Sequence, residues 1–232
     1  MPYDGITIVG WTKHSFIDFP GTISMVLFFR GCNMRCPFCH NPGVVLGEHA
    51  PIDFDDIKAH IRKRQDVIEG VVLSGGEPTL HTGLPELVRE LHAISMSVKL
   101  DTNGLLPEMI EACRPDYLAL DIKTHPSNYQ NLGCTCGDAA ARLALSIAIV
   151  KAMGENAEVR IPVVPGFIDE SVIESLSGML TDVSKVLLQP FQHDAVLLDP
   201  SLAGLEPYTM EKMEKFRIML EPYVGTCVIR GR

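Results

Sequence analysis

Three cysteines lie close together in the segment GCNMRCPFCHNP, residues 31–42, at Cys32, Cys36 and Cys39. Thiolates are soft ligands that suit zinc and iron–sulfur clusters, and a closed site of either kind normally takes four protein ligands. Three ligands leave one metal position open, where a substrate or cosubstrate can bind. The alternative is a structural zinc site that His40 completes, but the C-x3-C-x2-C spacing differs from the paired C-x2-C motifs of such sites.

Three other segments that are polar or glycine-rich follow short apolar runs: SGGEPT at 74–79, DTNG at 101–104 and DIK at 121–123. In the first of them, Gly75 and Gly76 allow the backbone to approach a ligand closely. Glu77 and Thr79 add hydrogen-bond acceptors to the same segment. The alternative interpretation of this segment is an ordinary turn between a strand and a helix.

The elements that must position these segments alternate between short apolar runs and longer amphipathic stretches. We predict strands at 23–29, 70–74, 97–101, 117–122, 157–163 and 185–189. We predict helices at about 53–65, 83–95, 105–113, 138–153, 169–181 and 208–221. This order favours an α/β fold with a parallel sheet, and six such units favour a partial or complete barrel over two domains. The fold that we expect is a partial (β/α)6 TIM-like barrel formed by one domain over residues 1–232. In such barrels ligands bind where strands end, so the cysteine segment and the three polar segments are expected to face a common mouth.

The composition of the chain argues against several classes of function. With 232 residues, of which 46% are hydrophobic, the chain can bury a large core. A net charge of −9 argues against nucleic acid or an anionic membrane as partner. The first ten residues lack the pattern of a secretory signal, and no apolar stretch is long enough to span a bilayer, so we expect a cytoplasmic protein. Seven cysteines in such a chain indicate metal binding or redox chemistry rather than a disulfide framework.

A C-x3-C-x2-C segment after the first predicted strand and a GGEP segment after the second resemble the radical S-adenosylmethionine (SAM) superfamily. The resemblance implies that Cys32, Cys36 and Cys39 hold a [4Fe–4S] cluster whose open iron binds the amino and carboxylate groups of SAM. In that superfamily, an electron from the cluster cleaves SAM to methionine and a 5′-deoxyadenosyl radical, which removes hydrogen from a substrate. The resemblance assigns the segment 74–79 to the SAM amino group.

A finer resemblance is to the activating enzymes of glycyl radical proteins, and it rests on SFIDFPGTISMVLFFRGCNMRCPFCHNP, LDTNG and LALDIK. It implies removal of hydrogen from a glycine Cα of a partner enzyme, with anaerobic ribonucleoside-triphosphate reductase favoured and flavodoxin or ferredoxin as electron donor. It makes Asp101, Thr102 and Asp121 candidates for a monovalent cation site beside SAM. It also places Lys123, the candidate catalytic residue, near the adenosyl end of SAM or the incoming loop, and lets Arg160 reach SAM. The alternatives are capping or turn roles for the aspartates and a solvated lysine.

Several alternatives stay open on the sequence alone. The enzyme can act on a small molecule or a peptide, or the chain can be an electron-transfer or metal-binding module. The remaining cysteines are candidates for a second cluster, although their spacing matches no ferredoxin pattern: Cys113, Cys134, Cys136 and Cys227. The activating enzymes have a histidine after the sixth strand, where this chain offers Gln192 and His193 in a shifted register, so neither is assigned that role.

Overall fold

The computed structural model describes residues 5–192 and 196–230, which form two compact units. The first unit contains residues 5–33, 43–102 and 108–117. The second contains residues 34–42, 103–107, 118–192 and 196–230. The cysteine segment begins in the first unit, with Cys32, and continues in the second, with Cys36 and Cys39. His193 lies outside the described residues.

The first unit is built on strands β1 (Ile8–Ser15), β2 (Ser24–Phe29), β3 (Gly70–Gly75) and β4 (Ser97–Thr102). Strand β1 is antiparallel to β2, whereas β2, β3 and β4 are parallel neighbours in that order. The side chains of Met25, Leu27 and Val71 are completely buried. Strands β2 and β3 therefore have the continuous apolar character of parallel strands that are covered on both faces.

The second unit contains strand β5 (Tyr117–Asp121) from its second residue onward, and all of β6 (Ala157–Val163), β7 (Lys185–Pro190) and β8 (Thr226–Ile229). They are parallel neighbours in sequence order. Because every parallel pair needs a crossover connection, helices follow most of these strands. Strands β5 and β6 pair so that Asp121, the last residue of β5, lies opposite Arg160 in the middle of β6.

Seven α-helices occur in the described residues: α1 (Pro42–Leu46), α2 (Phe54–Arg64), α3 (Leu84–Ala93), α4 (Pro107–Cys113), α5 (Ala139–Met153), α6 (Glu170–Met179) and α7 (Met210–Leu220). Helices α2, α5, α6 and α7 begin at side chains that accept a hydrogen bond from the first turn, as Asp138 does for α5 and Asp169 for α6. Helix α3 begins at Gly83, without such a side chain. None of these helices is long and apolar enough to cross a bilayer.

The six strands predicted from the sequence are confirmed, each to within one residue at either end. Strands β1 and β8 were not predicted. Strand β1 leaves residues 12–14 exposed and carries a lysine and a histidine there, so it lacks the apolar run that marks the central strands. Strand β8 has four residues, two of them exposed, which is too short for a clear alternating pattern.

Candidate functional site

The cysteine segment is held in place by backbone hydrogen bonds within each unit. In the first unit, the N–H of Gly31 donates to the carbonyl of Val44 at 2.9 Å. In the second unit, the N–H of Arg35 donates to Leu132 at 2.7 Å, and the N–H of Leu198 donates to Cys39 at 3.0 Å. The segment therefore has a fixed course although it lacks regular structure.

The thiols of this segment differ in their surroundings. Cys36 is buried, whereas Cys32 and Cys39 are partly exposed. Burial raises the pKa of Cys36 to about 11, although the nearby Lys123 ammonium acts in the opposite direction. Over residues 5–192 and 196–230, no three Cys, His, Asp or Glu side chains are gathered as a ready-formed metal site. Because metal ligation by thiols releases protons, loading a cluster onto these cysteines must remove the proton of Cys36 from a buried position.

The donor set of the segment fits an iron–sulfur cluster better than the zinc site that includes His40. Three thiols from Cys32, Cys36 and Cys39 match the soft-ligand chemistry of such clusters. The ring of His40 instead lies against Phe191, with 6.2 Å between ring centroids. Burial lowers the pKa of His40, and the positive charge of Lys123 lowers it further.

Gly75 and Gly76 bring two backbone segments of the first unit together. Gly75 has φ = +115°, a conformation that L side chains rarely adopt. A Cβ on Gly76 would lie 1.7 Å from the carbonyl oxygen of Gly31. The N–H groups of Gly76 and Glu77 donate to the carbonyls of Phe29 and Gly31, at 2.9 and 2.8 Å. The glycines thus allow a close approach to the end of β2, a contact that the sequence analysis did not anticipate.

The carboxylate of Glu77 organises the loops that follow β3 and β4. Its side chain is almost completely buried. The oxygen Oε1 accepts from the N–H of Thr79 at 3.1 Å, from the hydroxyl of Thr79 at 2.5 Å and from the hydroxyl of Thr102 at 2.7 Å. Glu77, Thr79 and Thr102 therefore support one another, and this mutual contact depends on tertiary structure that spacing alone does not reveal.

Asp101, near the end of β4, forms an ion pair with a lysine side chain of the same strand. Its Oδ1 lies 2.5 Å from the ammonium of Lys99, and its Oδ2 accepts from the hydroxyl of Ser74 at 3.2 Å. The Lys99 side chain is 2% exposed. A lysine in the middle of the apolar strand sequence SVKLD was a signal that the sequence analysis passed over, since a buried lysine normally needs a partner.

Asp121 lies between two cations of the second unit. Its Oδ1 is 2.6 Å from Nε of Arg160, and its Oδ2 is 2.9 Å from Nζ of Lys123. Burial alone would raise the pKa of Asp121, but these two positive charges outweigh it and hold the pKa well below its usual range. Burial alone would lower the pKa of Lys123, whereas Asp121 and Cys36 together hold it above its usual value. The structure therefore brings three predicted site residues together as one ionic group.

Tyr129 supports this ionic group and was not identified from the sequence. The tyrosine is buried in the 3-10 turn Pro126–Leu132, and its hydroxyl oxygen accepts the backbone N–H of Lys123 at 3.1 Å. Its carbonyl accepts the N–H of Cys134 at 3.1 Å. An isolated tyrosine in a loop carries no sequence signal for such a role.

Comparisons with known proteins agree with the chemistry of the cysteine segment. Residues 26–177 match the model of the Radical SAM superfamily. The chain is 32% identical, over 96% of its length and 95% of the relative, to "Putative glycyl-radical enzyme activating enzyme" of Methanocaldococcus jannaschii. It is 29% identical to "Pyruvate formate-lyase 1-activating enzyme" of Escherichia coli K12, over 90% of this chain and 95% of that one.

A solved structure of TYW1 with a lysine-pyruvate adduct bound superposes with a TM-score of 0.64, covering 89% of this chain and 76% of that one. At 18% identity this likeness shows the fold class, which is the predicted α/β partial TIM-like barrel. The family match covers more than half of the chain and includes the segment with Cys32, Cys36 and Cys39. The chain is therefore an enzyme of radical chemistry that belongs to the radical SAM superfamily, whose members use a [4Fe–4S] cluster and SAM.

Proposed function

We propose that this enzyme activates a glycyl radical enzyme by removing a hydrogen atom from a glycine Cα of that partner. The observation that carries the proposal is the similarity to two activating enzymes over nine-tenths or more of the chain and of each relative. A glycine in a flexible loop suits this reaction because it enters a narrow site easily, and the flanking amides stabilise the resulting radical.

The cysteines at 32, 36 and 39 are the proposed ligands of the cluster. When bound and reduced, the cluster supplies the electron for cleavage of SAM. Near it, the chain provides the ionic group of Asp121, Lys123 and Arg160. The Lys123 ammonium lowers the pKa of the Cys36 thiol and so favours the thiolate that ligation requires. Asp121 keeps Lys123 charged and in place at 2.9 Å.

The SAM site that we propose follows the residues assigned by resemblance: Gly75, Gly76, Glu77, Thr79, Asp101, Thr102, Asp121 and Arg160. The backbone carbonyls of the two glycines are suited to receive the amino group of SAM, since the loop is held rigidly by the buried Glu77 carboxylate. Arg160 is suited to an anionic group, because a guanidinium donates several hydrogen bonds in a fixed geometry. Lys123 is the proposed catalytic residue near the reacting end of SAM.

The proposal includes a monovalent cation held by Asp101, Thr102 and Asp121. A cation would relieve repulsion between the two carboxylates, but the ammonium of Lys99 already lies 2.5 Å from Asp101. The positive charges of Arg160 and Lys123 likewise balance the charge of the Asp121 carboxylate. Measuring SAM binding in potassium, sodium and tetramethylammonium buffers decides the question, since a cation site makes the affinity depend on the ion at constant ionic strength.

The favoured partner is anaerobic ribonucleoside-triphosphate reductase, and a pyruvate formate-lyase is the second candidate because a relative activates that class of enzyme. Reduced flavodoxin or ferredoxin is the proposed electron donor. A radical SAM enzyme that acts on a small molecule or a peptide is the competing function. The likeness to TYW1 is compatible with it, but at 18% identity that likeness concerns the fold. Membership of the superfamily favours an enzyme over an electron-transfer module.

The test is to incubate cluster-loaded protein, SAM and a one-electron reductant with each candidate partner and record the electron paramagnetic resonance spectrum. We expect a carbon-centred doublet that is absent when the partner's glycine is changed to alanine. Because ordering of the partner loop accompanies binding, cleavage of SAM is expected to accelerate when the partner is added. SAM cleavage stimulated only by a small metabolite, with no protein radical, would contradict the proposal.

A further inference from the structure

Cys134 and Cys136 form a close pair of thiols outside the cluster-binding segment. Their sulfur atoms are 2.6 Å apart, compared with about 2.05 Å in a covalent disulfide. Cys134 is buried, whereas Cys136 is partly exposed. In the described ranges, no third Cys, His, Asp or Glu joins them in a group that could hold a metal ion. The pair therefore resembles a dithiol more than the half of a second cluster considered in the sequence analysis.

We propose that Cys134 and Cys136 are a reversible redox site, which closes into a disulfide by exchange with a disulfide-containing oxidant. The thiolate of Cys136 attacks one sulfur of the oxidant, so that a mixed disulfide forms and a first thiol leaves with the proton of Cys136. The sulfur of Cys134 then attacks the mixed disulfide at Cys136 and a second thiol leaves with the proton of Cys134. Two electrons pass from the cysteines to the oxidant, which is reduced to two thiols.

The local backbone holds the two sulfur atoms at this separation. Gly133 ends the preceding 3-10 turn in the left-handed conformation, with φ = +68° and its N–H donating to Gln130 at 3.0 Å. After Cys136, Asp138 caps helix α5 by accepting the N–H of Ala141 at 3.1 Å. The segment between these two caps is too short to separate the thiols widely, so the second step of the exchange is intramolecular and favoured by proximity.

Access to the pair is from one side. Cys136 lines a surface pocket, and the other lining residues include Pro126, Ser127, Gln130 and Asp138. Cys134 lies behind it with 7% of its surface exposed. This arrangement assigns the first attack to Cys136 and the resolving step to Cys134. A disulfide between residues so close in sequence is expected to be strained and easily reduced, and intracellular disulfides of this kind are usually transient or redox-sensing.

The two residues that directly precede the pair, Leu132 and Gly133, are in contact with the cysteine segment of the second unit. The N–H of Arg35, a residue of the C-x3-C-x2-C motif, donates to Leu132 at 2.7 Å. A Cβ on Gly133 would lie 2.8 Å from Cβ of Arg35, which shows how closely the two backbones pack. The proposed disulfide therefore lies directly after the residues that pack against Arg35, between the proposed cluster ligands Cys32 and Cys36.

The experiment uses the full chain with its cluster loaded anaerobically and oxidised glutathione as the oxidant. Trypsin cleaves after Lys123 and Arg142, so the peptide 124–142 contains Cys134 and Cys136 and no other cysteine. We expect the wild-type peptide to become about 2 Da lighter, through loss of two hydrogens, without a glutathione adduct. Dithiothreitol should restore the original mass.

Two single variants separate the steps. In Cys134→Ser, the exposed Cys136 should keep a stable glutathione adduct because no resolving thiol remains. In Cys136→Ser, the buried Cys134 should stay unmodified. A stable adduct on the wild-type peptide, or an unchanged mass, would overturn the proposal. Loss of iron from either variant, relative to the wild type, would assign the pair to a metal centre and would likewise overturn it.

Discussion

Replacement of Gly76 by alanine tests whether the loop after β3 positions the start of the cysteine segment. The added Cβ would lie 1.7 Å from the carbonyl oxygen of Gly31, half of the 3.4 Å at which ordinary contact begins. The obstacle is backbone, so it cannot move away as a flexible side chain could. Relief of the overlap must separate the hydrogen-bonded pairs formed by Gly76 with Phe29 and by Glu77 with Gly31.

The size of the effect follows from those two hydrogen bonds. A buried backbone group that loses its partner destabilises the fold by about 1–3 kcal/mol, so two bonds correspond to about 2–6 kcal/mol. For a chain of this length the melting temperature falls by about 2–4 °C per kcal/mol, which gives a decrease of roughly 4–24 °C. Because Gly31 directly precedes Cys32, iron should also be released faster to a chelator in Gly76→Ala.

Gly178→Ala is the matched control, since a Cβ there meets no atom within 4 Å and Gly178 lies in helix α6. Alanine at this site should stabilise the protein by about 0.4–1 kcal/mol by restricting the unfolded chain. The assay is thermal unfolding by circular dichroism, combined with the rate of iron release. A Gly76→Ala variant with the melting temperature and iron retention of the wild type would refute the reasoning.

Further predictions concern the cysteines, the ionic group and its support. Cys36→Ala should abolish cluster retention and SAM cleavage, whereas Cys113→Ala, also at a buried thiol, should retain about four irons per chain, as iron analysis will show. Burial raises the Cys36 pKa from 9.0 to about 11, so the protonated thiol contributes to the stability of the folded apoprotein below pH 9. Denaturant titrations should show that this contribution is lost between pH 9 and 11. A Cys36→Ala apoprotein with the same loss of stability would contradict that origin. Asp121→Asn should destabilise the fold by about 3–5 kcal/mol and weaken SAM binding, because it leaves two cations without their carboxylate; unchanged calorimetric values would exclude the ionic group from the SAM site. Tyr129→Phe and Tyr208→Phe each remove one partly buried hydrogen bond and should lower the melting temperature alike, but only Tyr129→Phe should slow SAM cleavage, because its hydroxyl supports the Lys123 backbone; equal slowing in both variants would refute this role.

The sequence predicted the central strands well because each is a buried apolar run bounded by turn residues, as in GVVLS before the loop at Gly75. It also predicted the segments at the strand ends, since parallel strands place their loops at one edge. It missed β1, whose exposed residues 12–14 interrupt the apolar pattern. Edge strands of this kind are stabilised by one neighbour and need no continuous hydrophobic sequence.

The partners of the site residues were beyond prediction because they depend on strand register. Asp121 and Arg160 are 39 residues apart and meet because β5 and β6 pair in the register that places them opposite each other. The contact between Thr102 and Glu77 likewise joins two different strand ends. Spacing rules describe one helix or strand at a time. They therefore identify which residue types form a site, but they do not identify which of those residues form hydrogen bonds or ion pairs with each other.

The carboxylates of the candidate site are paired with other groups of the protein. Glu77, Asp101 and Asp121 were expected to touch SAM or a cation, yet each carboxylate already has protein partners within hydrogen-bonding distance. Such pairing preorganises a site, because the polar groups are oriented before the ligand arrives. Alanine at any of the three removes hydrogen bonds from its partners and weakens the fold together with binding. Asn and Gln keep the shape and remove the charge, so the variants Asp101→Asn and Glu77→Gln separate a direct electrostatic contact with the ligand from support of the loops.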